Sequence, residues 1–502
     1  MATTPLIDAG DVWIRRRDGL KAWLAFTPFS RLLGCSASFQ DRAAREGVLL
    51  ASLVMRVWRF MPSFMLDIAM IAEGAGDERS FRRLLGQAMT AAADLEARLG
   101  GRPAALDELV RFHIAIFDLN KAAVLAESGR LAGIDGADAL CSEVKALEAE
   151  CAPWRHAVEA ARQDLIRRMQ GAATDQRGNY LTVYVPGPAF RRNRRDYPGF
   201  RSDIRKVFRL IFADLDAAQT PYRVAARMAK HGALSGEGGP YIAYHSVGTS
   251  KQGLHVKETD RRSYFSVDTA GYSGWSDFSK RPLPAQPADR SVIESFVAGE
   301  RRALIAGNQS KYEQPDQDPA RPASPPHVFV ALQVVDDAVQ RLAHVHMFDM
   351  LEEVSLVCRA RHIPVVVKRH PLCRSWEVAS VLRRGERRGL FSVSPDSIHG
   401  LISNACAVCV VNSSVGAEAL LHGKPVYTFG ASEYQAATFQ IRARGDFARV
   451  FEPDRLPAST EAIEALLYSL RTDYAANVRD DEGIRTFLSG RLSSLLAQSQ
   501  ND

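Results

Sequence analysis

Two short stretches constrain this chain more than any other: Val365-Val-Val-Lys-Arg-His-Pro371 and Val408-Cys-Val-Val-Asn-Ser-Ser-Val-Gly-Ala-Glu418. Each is a β-branched apolar run that stops abruptly at a polar turn. A strand buried on both faces reads this way, without the alternation of a half-exposed strand. Such strands belong to open α/β sheets, in which ligands bind beyond the carboxyl ends of the strands. The first run delivers Lys368, Arg369 and His370 to that edge. The second delivers Asn412, Ser413 and Ser414, then opens a helix near Gly416. Cations and hydroxyls beside a helix start suit an anion, most simply a phosphate.

The surrounding pattern is consistent with that sheet. Strands are expected at 328–333, 363–368, 390–393, 407–411 and 425–429, with helices at 347–361, 375–384, 397–404 and 416–422. Strands alternating with helices indicate a parallel, doubly wound sheet. Upstream lies a second α/β pattern. It has strands at 180–185, 241–245, 255–258 and 263–268, and helices at 211–229, with Pro221 as a break, and 291–306. Between the two, Gln309 to Pro326 holds five prolines among Asp, Gln and Ser and reads as an interdomain linker.

Residues 1–172 carry apolar positions at three- and four-residue spacing over 41–60, 77–99, 105–129 and 137–169, the mark of amphipathic helices. The expected organisation is therefore a helical accessory region (1–172), a first α/β domain (173–308), the Pro-rich linker (309–326), a second α/β domain (327–475) and a C-terminal helix (476–502). The expected fold class is α/β, a GT-B-like pair of Rossmann-type domains preceded by an α-helical N-terminal region; in such a pair the first domain is the acceptor side and the second binds the nucleotide, although the pattern alone does not single this pair out from other two-domain α/β enzymes.

Composition excludes some functions. The 64 basic and 58 acidic residues leave a net charge of +6, too mild to argue for nucleic acid by itself. Seven scattered cysteines show no framework spacing, which fits a reducing cytoplasm. Cys406 and Cys409 lie on the approach to an apolar strand and read as core thiols rather than a zinc half-site. Met1 to Gly10 has no apolar core of a signal peptide, and Val57 to Ala72 is too short and too charged to span a bilayer.

One basic cluster stands apart: Arg191, Arg192, Arg194, Arg195, Arg201, Arg205, Lys206 and Arg209, interleaved with Phe190, Tyr197, Phe200 and Phe208. It reads either as a solvated helix face or as a contact for something polyanionic, such as the headgroups of the inner membrane or an acidic glycan. No nucleic-acid-binding motif accompanies it. Asp268 sits where a strand ends and the Gly-rich turn Thr269-Ala-Gly-Tyr-Ser-Gly-Trp275 begins. That is a place for a catalytic carboxylate or for a turn cap.

Phe329-Val-Ala-Leu-Gln-Val-Val-Asp336, Val367-Lys-Arg-His-Pro371 and Asn412-Ser-Ser-Val-Gly-Ala-Glu-Ala-Leu-Leu-His-Gly-Lys-Pro-Val426 resemble the bacterial capsule polysaccharide biosynthesis family, whose characterised members include Kdo transferases using CMP-Kdo. The resemblance covers about Tyr241 to Tyr434 and leaves out the helical first third. It implies a glycosyltransferase in which His370, with Pro371 behind it, and Ser413 and Ser414 hold the CMP phosphate. It implies Glu418 on the nucleotide ribose, and no metal or cofactor beyond the donor substrate. Asp268 matches the acid of an Asp-Gly-type motif, although its spacing departs from that pair. It would act as general base in an inverting enzyme or as nucleophile in a retaining one. His245, Lys257 and Glu258 are candidates for the acceptor or the sugar-acid carboxylate.

The implied partners are a nucleotide sugar and a polysaccharide or glycolipid acceptor, handled in the cytoplasm with peripheral contact at the inner membrane. Two other readings stay open: a CDP-polyol phosphotransferase of the teichoic-acid type, and a non-catalytic nucleotide-binding protein of capsule assembly.

Overall fold

The computed structural model describes residues 62–171, 180–191, 198–229, 231–234, 239–248, 252–284, 289–316, 325–335, 337–373 and 375–499. The helix expected at 41–60, Arg192, Arg194, Arg195, Tyr197 and Asp336 lie outside the described residues. Two compact units form, one from described residues 62–257, 269–271 and 477–499, the other from 258–268 and 272–476.

Among the described residues the first unit opens with six helices: α1 (Pro62–Gly74), α2 (Glu78–Ala97), α3 (Pro103–Ala115), α4 (Leu119–Leu131), α5 (Ala137–Cys151) and α6 (Arg155–Met169). The single helix expected over 105–129 is two. Phe117 turns left-handed at φ +65°, and the Asp118 carboxylate accepts the Lys121 N–H to start α4 afresh. The helix expected over 137–169 also divides, at a 3₁₀ turn, Ala152–Trp154. Pro153 lacks the N–H that an unbroken helix would need there.

Four parallel strands follow: β1 (Leu181–Pro186), β2 (Tyr222–Arg227), β3 (Tyr241–Tyr244) and β4 (Gly253–Glu258), in the order β4-β3-β1-β2. Helix α7 (Phe200–Ala217) connects β1 to β2. Here the helical expectation for 211–229 is corrected. Gln219 turns left-handed at φ +51°, Pro221 follows, and residues 222–227 pair with β1 along its whole length. Gly253 is required where β4 meets β3, because a Cβ there would lie 2.3 Å from the Tyr241 ring.

Arg191, Arg201 and Arg205 of the basic cluster bond part-buried partners, and Lys206 makes a surface ion pair. The Arg205 guanidinium donates to Glu150 (2.7 Å) and to the Ala189 carbonyl (2.6 Å). Arg201 donates to the Pro188 carbonyl, Arg191 to Asp67, and Lys206 to Asp481.

The second unit runs β5 (Tyr264–Asp268), α8 (Arg290–Glu300), β6 (His327–Ala331), α9 (Met347–Ala360), β7 (Val365–Lys368), α10 (Trp376–Arg387), β8 (Ser392–Val393), α11 (Ile398–Ser403), β9 (Ala405–Val410), α12 (Val415–Leu421), β10 (Val426–Thr428), β11 (Phe439–Gln440), α13 (Asp446–Val450) and α14 (Thr460–Thr472). The strand order is β8-β7-β6-β9-β10-β11, and every pair is parallel. Three strands wind outward one way and three the other, so the direction reverses between β6 and β9. In open α/β sheets the ligand crevice opens at that reversal, outside the carboxyl ends.

Strand β9 is buried throughout and alternates between two cores. Ala407 and Cys409 join Phe348, Leu351 and Tyr427 on one face, while Val408 and Val410 join Leu401, Leu420 and Leu466 on the other. Cys406 and Cys409 are buried free thiols, as the apolar context predicts. The fold class is thus α/β with parallel sheets, preceded by a helical N-terminal region. The C-terminal helix α15 (Asp481–Ser499) belongs to the first unit, where Ser489 donates to Asp214 (2.6 Å). Among the described residues, no helix is long and apolar enough to cross a membrane.

Candidate functional site

The carboxyl end of β7 delivers Lys368, Arg369 and His370, and both cations are tied to loop carbonyls, with Arg369 Nε left buried and without a hydrogen-bond partner among the described residues. The Lys368 ammonium donates to the Pro395 carbonyl (2.8 Å) and to the Asp396 carbonyl, which pins the loop after β8. Burial lowers its pKa. Arg369 donates to the Ser375 carbonyl (2.7 Å) and holds the entry to α10. Both side chains build the rim of the crevice.

His370 is different. Its Nδ1 accepts the Leu372 N–H at 3.1 Å, in a turn closed by Pro371. Burial, with the Lys311 ammonium nearby, pushes its pKa down to about 4. At neutral pH the ring is uncharged, and with Nδ1 accepting, the proton sits on Nε2. Nε2 has no hydrogen-bond partner among the described residues. The loop therefore presents a neutral, directed donor.

The end of β9 divides the same way. Asn412 is fully engaged: its Oδ1 accepts from the Gln333 amide (2.8 Å), its Nδ2 donates to the Val339 carbonyl (2.9 Å), and its N–H donates to Gln333 Oε1 (3.1 Å). Gln333 follows β6, so this pair ties the two strands together at the point where the winding reverses.

Ser413 and Ser414 come next. The Ser413 carbonyl accepts the Tyr434 hydroxyl and the Gly416 N–H (2.9 Å). Position 416 must be Gly, because a Cβ there would lie 2.4 Å from the Tyr434 hydroxyl. The Ser413 hydroxyl accepts the Val415 N–H at 3.4 Å. The Ser414 side chain does not cap α12 and makes no hydrogen bond among the described residues.

The stretch read from composition as a linker contributes to this edge through its described residues, 309–316. Tyr312 meets the His370 ring edge-on, with centroids 5.0 Å apart and planes at 80°. Ser310 donates to Glu418 on α12 (2.9 Å). The Gln309 carbonyl bonds His399 Nε2 (2.9 Å), and Gln314 Oε1 accepts the Ile398 N–H (3.1 Å). Adjacent Cα atoms lie about 3.8 Å apart, so residues 310 and 312 cannot be far from each other, and the strap draws the loop after β7 and the helix after β9 to one place. Pro-rich composition hid this. The only signals were Lys311 and Tyr312, a cation and an aromatic in a run of Gln, Asp and Pro.

Glu418 is buried, and burial pushes its carboxyl up to about 8. Oε1 accepts from Ser310, while Oε2 lies 3.7 Å from His399 Nε2 without a hydrogen bond. His399 Nδ1 in turn meets His422 Nε2 at 3.0 Å.

Asp268 ends β5 and is buried. Its two oxygens accept the N–H groups of Asp277 (2.9 Å) and Phe278 (3.3 Å), so it caps the turn at Phe278–Lys280. Glu258 lies 4.0 Å from the Lys311 ammonium. His245 and Lys257 belong to the first unit. His245 is left-handed at φ +50° and donates its backbone N–H to the Val256 carbonyl (2.8 Å).

Residues 291–443 match the model of a family described as capsule polysaccharide biosynthesis protein. Protein FixF of Sinorhizobium fredii (strain NBRC 101917 / NGR234) is 30% identical over 178 residues, 35% of this chain and 38% of that protein. The chain therefore spans under two-fifths of that relative's length. The Thermosulfurimonas dismutans KpsC β-Kdo 2,4-transferase structure covers 62% of this chain and 98% of its own at 14% identity, with a TM-score of 0.37. The wall teichoic acid polymerase TagF covers 70% and 98% at 8% identity, with a TM-score of 0.21. TM-scores this low fix no chemistry for this chain. The likeness read from the strand-end motifs agrees with the family match: residues 291–443, which contain His370, Ser413, Ser414 and Glu418, match the model of the capsule polysaccharide biosynthesis family.

Proposed function

We propose that this chain is a glycosyltransferase that moves Kdo or a related ulosonic acid from a CMP-activated donor to a capsular polysaccharide or its lipid-linked acceptor. The observation that carries this reading is a set of neutral donors where the sheet reverses: the Nε2–H of His370 after β7 and the hydroxyls of Ser413 and Ser414 after β9. The family match on 291–443 supports the same reading.

The chemistry follows from the donors. As the bond from the sugar to the CMP phosphate breaks, negative charge grows on the departing phosphate oxygen. A preorganised donor aimed at that oxygen stabilises the transition state more than the ground state, typically by about 10²–10³-fold in rate per donor. His370 does this as a neutral imidazole. Ser413 and Ser414 add two hydroxyls, and the cations Lys368 and Arg369 hold the loops that aim them. In this reading Asp268 acts on the acceptor hydroxyl as general base, or on the sugar as nucleophile. The backbone N–H groups of Asp277 and Phe278 hold its two oxygens in place at the end of β5. Glu418 would take the ribose in this reading, its Oε1 held by Ser310 and its Oε2 without a hydrogen-bond partner among the described residues.

Incubation with CMP-Kdo, CMP-sialic acid and CDP-glycerol tests the proposal. Sugar transfer with CMP release supports it. CMP release with a phosphodiester product would assign a phosphotransferase instead, and nucleotide binding without turnover a scaffold.

A further inference from the structure

From the contact of Tyr312 with His370 and the anchoring of the strap on both sides of it, we infer that Tyr312 is a positioning residue that holds the His370 imidazole as an Nε2–H donor. The inference rests on the reading of His370 as the donor to the leaving phosphate.

Three contacts restrain the imidazole or its surroundings. The Leu372 N–H fixes Nδ1 as acceptor. The Tyr312 ring meets the imidazole edge-on. The Lys311 ammonium, itself bonded to the Thr259 carbonyl at 2.9 Å, disfavours a second proton on the ring. The backbone hydrogen bond alone leaves the imidazole free to swing about the Nδ1···H–N axis. An aromatic wall closes that freedom and excludes water from one side, which keeps the ring neutral.

The strap is held firmly enough to act as such a wall. Upstream of Tyr312, Asn308 Oδ1 accepts the Ser397 hydroxyl, the Gln309 carbonyl meets His399, and Ser310 meets Glu418. Across from it, Arg262 donates to the Lys311 carbonyl (2.8 Å). Downstream, Gln314 accepts from Ile398, and Asn308 Nδ2 donates to the Pro315 carbonyl (2.9 Å). Tyr312 lies between anchors on both sides, so its ring has a defined place. A connector between two domains would need none of these bonds.

The test is NMR of the full chain with ¹³C/¹⁵N-labelled histidine, the His370 signals being assigned by their loss in His370→Gln. In wild type the Nε2–H tautomer is expected to dominate and the ring to titrate near 4. Tyr312→Ala is expected to raise the His370 pKa by at least about one unit and to mix the tautomers, because water regains the ring. Tyr312→Phe is expected to restore both. Ser310→Ala, which loosens the strap and keeps the ring, is expected to shift the pKa the same way by less, and it stands in should the alanine variant not fold. With CMP-Kdo as donor, Tyr312→Ala is expected to lower kcat about tenfold while KM changes less than threefold. Unchanged tautomer and pKa in both Tyr312→Ala and Ser310→Ala would overturn the inference. A wild type that turns over no CMP-sugar while the NMR shifts appear as expected would instead remove the proposed reaction and leave the positioning intact.

Discussion

The basic helix of the first unit and the strand ends of the second unit look alike in sequence: both are dense in Arg and Lys. In the folded chain both sets of cations bond within their own unit. Arg191, Arg201, Arg205 and Lys206 bond carboxylates and carbonyls of the first unit. Lys368 and Arg369 bond loop carbonyls of the second. The difference lies in what is left over. Beside the second pair stand an imidazole N–H and a serine hydroxyl without partners among the described residues. In the proposed reading, these cations fix loops and the neutral donors beside them grip the phosphate.

The largest expected effect is at His370. His370→Ala should lower turnover of a CMP-sugar by about 100-fold or more, the usual cost of losing one preorganised donor, with an unchanged melting temperature. Loss of activity through unfolding, seen by circular dichroism, would erase the contrast between donor and scaffold.

Asn412→Ala should show the opposite pattern. It removes the partners of the buried Gln333 Nε2 and of the Val339 carbonyl, while the backbone N–H of residue 412 still donates to Gln333 Oε1, and should cost about 3 kcal/mol of stability, from roughly 1–3 kcal/mol per unsatisfied group. Urea denaturation measures it. A stability loss below experimental error would mean that the amide pair does not tie β6 to β9.

Ser414→Ala should be milder. One hydrogen bond to a bound phosphate is worth about 1.5 kcal/mol or less, so CMP affinity should fall about 5- to 10-fold with no loss of stability. Titration calorimetry reads the affinity, and urea denaturation the stability.

Arg205→Ala should lower stability by about 1 kcal/mol, since Glu150 is partly exposed, and should leave retention on a heparin column nearly unchanged. A large loss of retention would return the basic helix to a role in polyanion binding.

The subtlest signal is in acid. His370 titrates near 4 in the fold against 6.5 ordinarily, because burial disfavours its charged form. The unfolded chain then binds more protons between those values, so stability is complete above about 6.5 and is lost as pH falls toward 4. His255 and His422 act the same way, each held near 3 by burial. Glu418, raised to about 8, acts oppositely: its contribution is present below 4.5 and lost as pH rises through 8. The difference between wild type and His370→Gln isolates one group. It should be flat above pH 6.5 and should slope between 6.5 and 4.

What could be read from the chain beforehand follows physical lines. The strands of the second unit were legible because β-branched runs buried on both faces have few alternatives. His370, Ser413 and Ser414 were legible because they follow those runs directly. Strand β2 was not: Tyr-Arg-Val-Ala-Ala-Arg is rich in helix formers and is a strand because β1 pairs with all of it. The break at Phe117 was hidden because neither Gly nor Pro marks it. Lys368, Arg369 and Asn412 were legible as polar but not as engaged, since their partners, Pro395, Ser375 and Val339, lie in other loops. The strap was hidden by its prolines.

Calorimetric titration with CMP tests the central claim most directly, comparing wild type with His370→Ala, with the double variant Ser413→Ala/Ser414→Ala, and with Lys206→Ala. Neutral donors gripping the phosphate predict at least a tenfold weaker affinity in the first two variants and none in the third. Equal affinity across all four proteins would contradict the account.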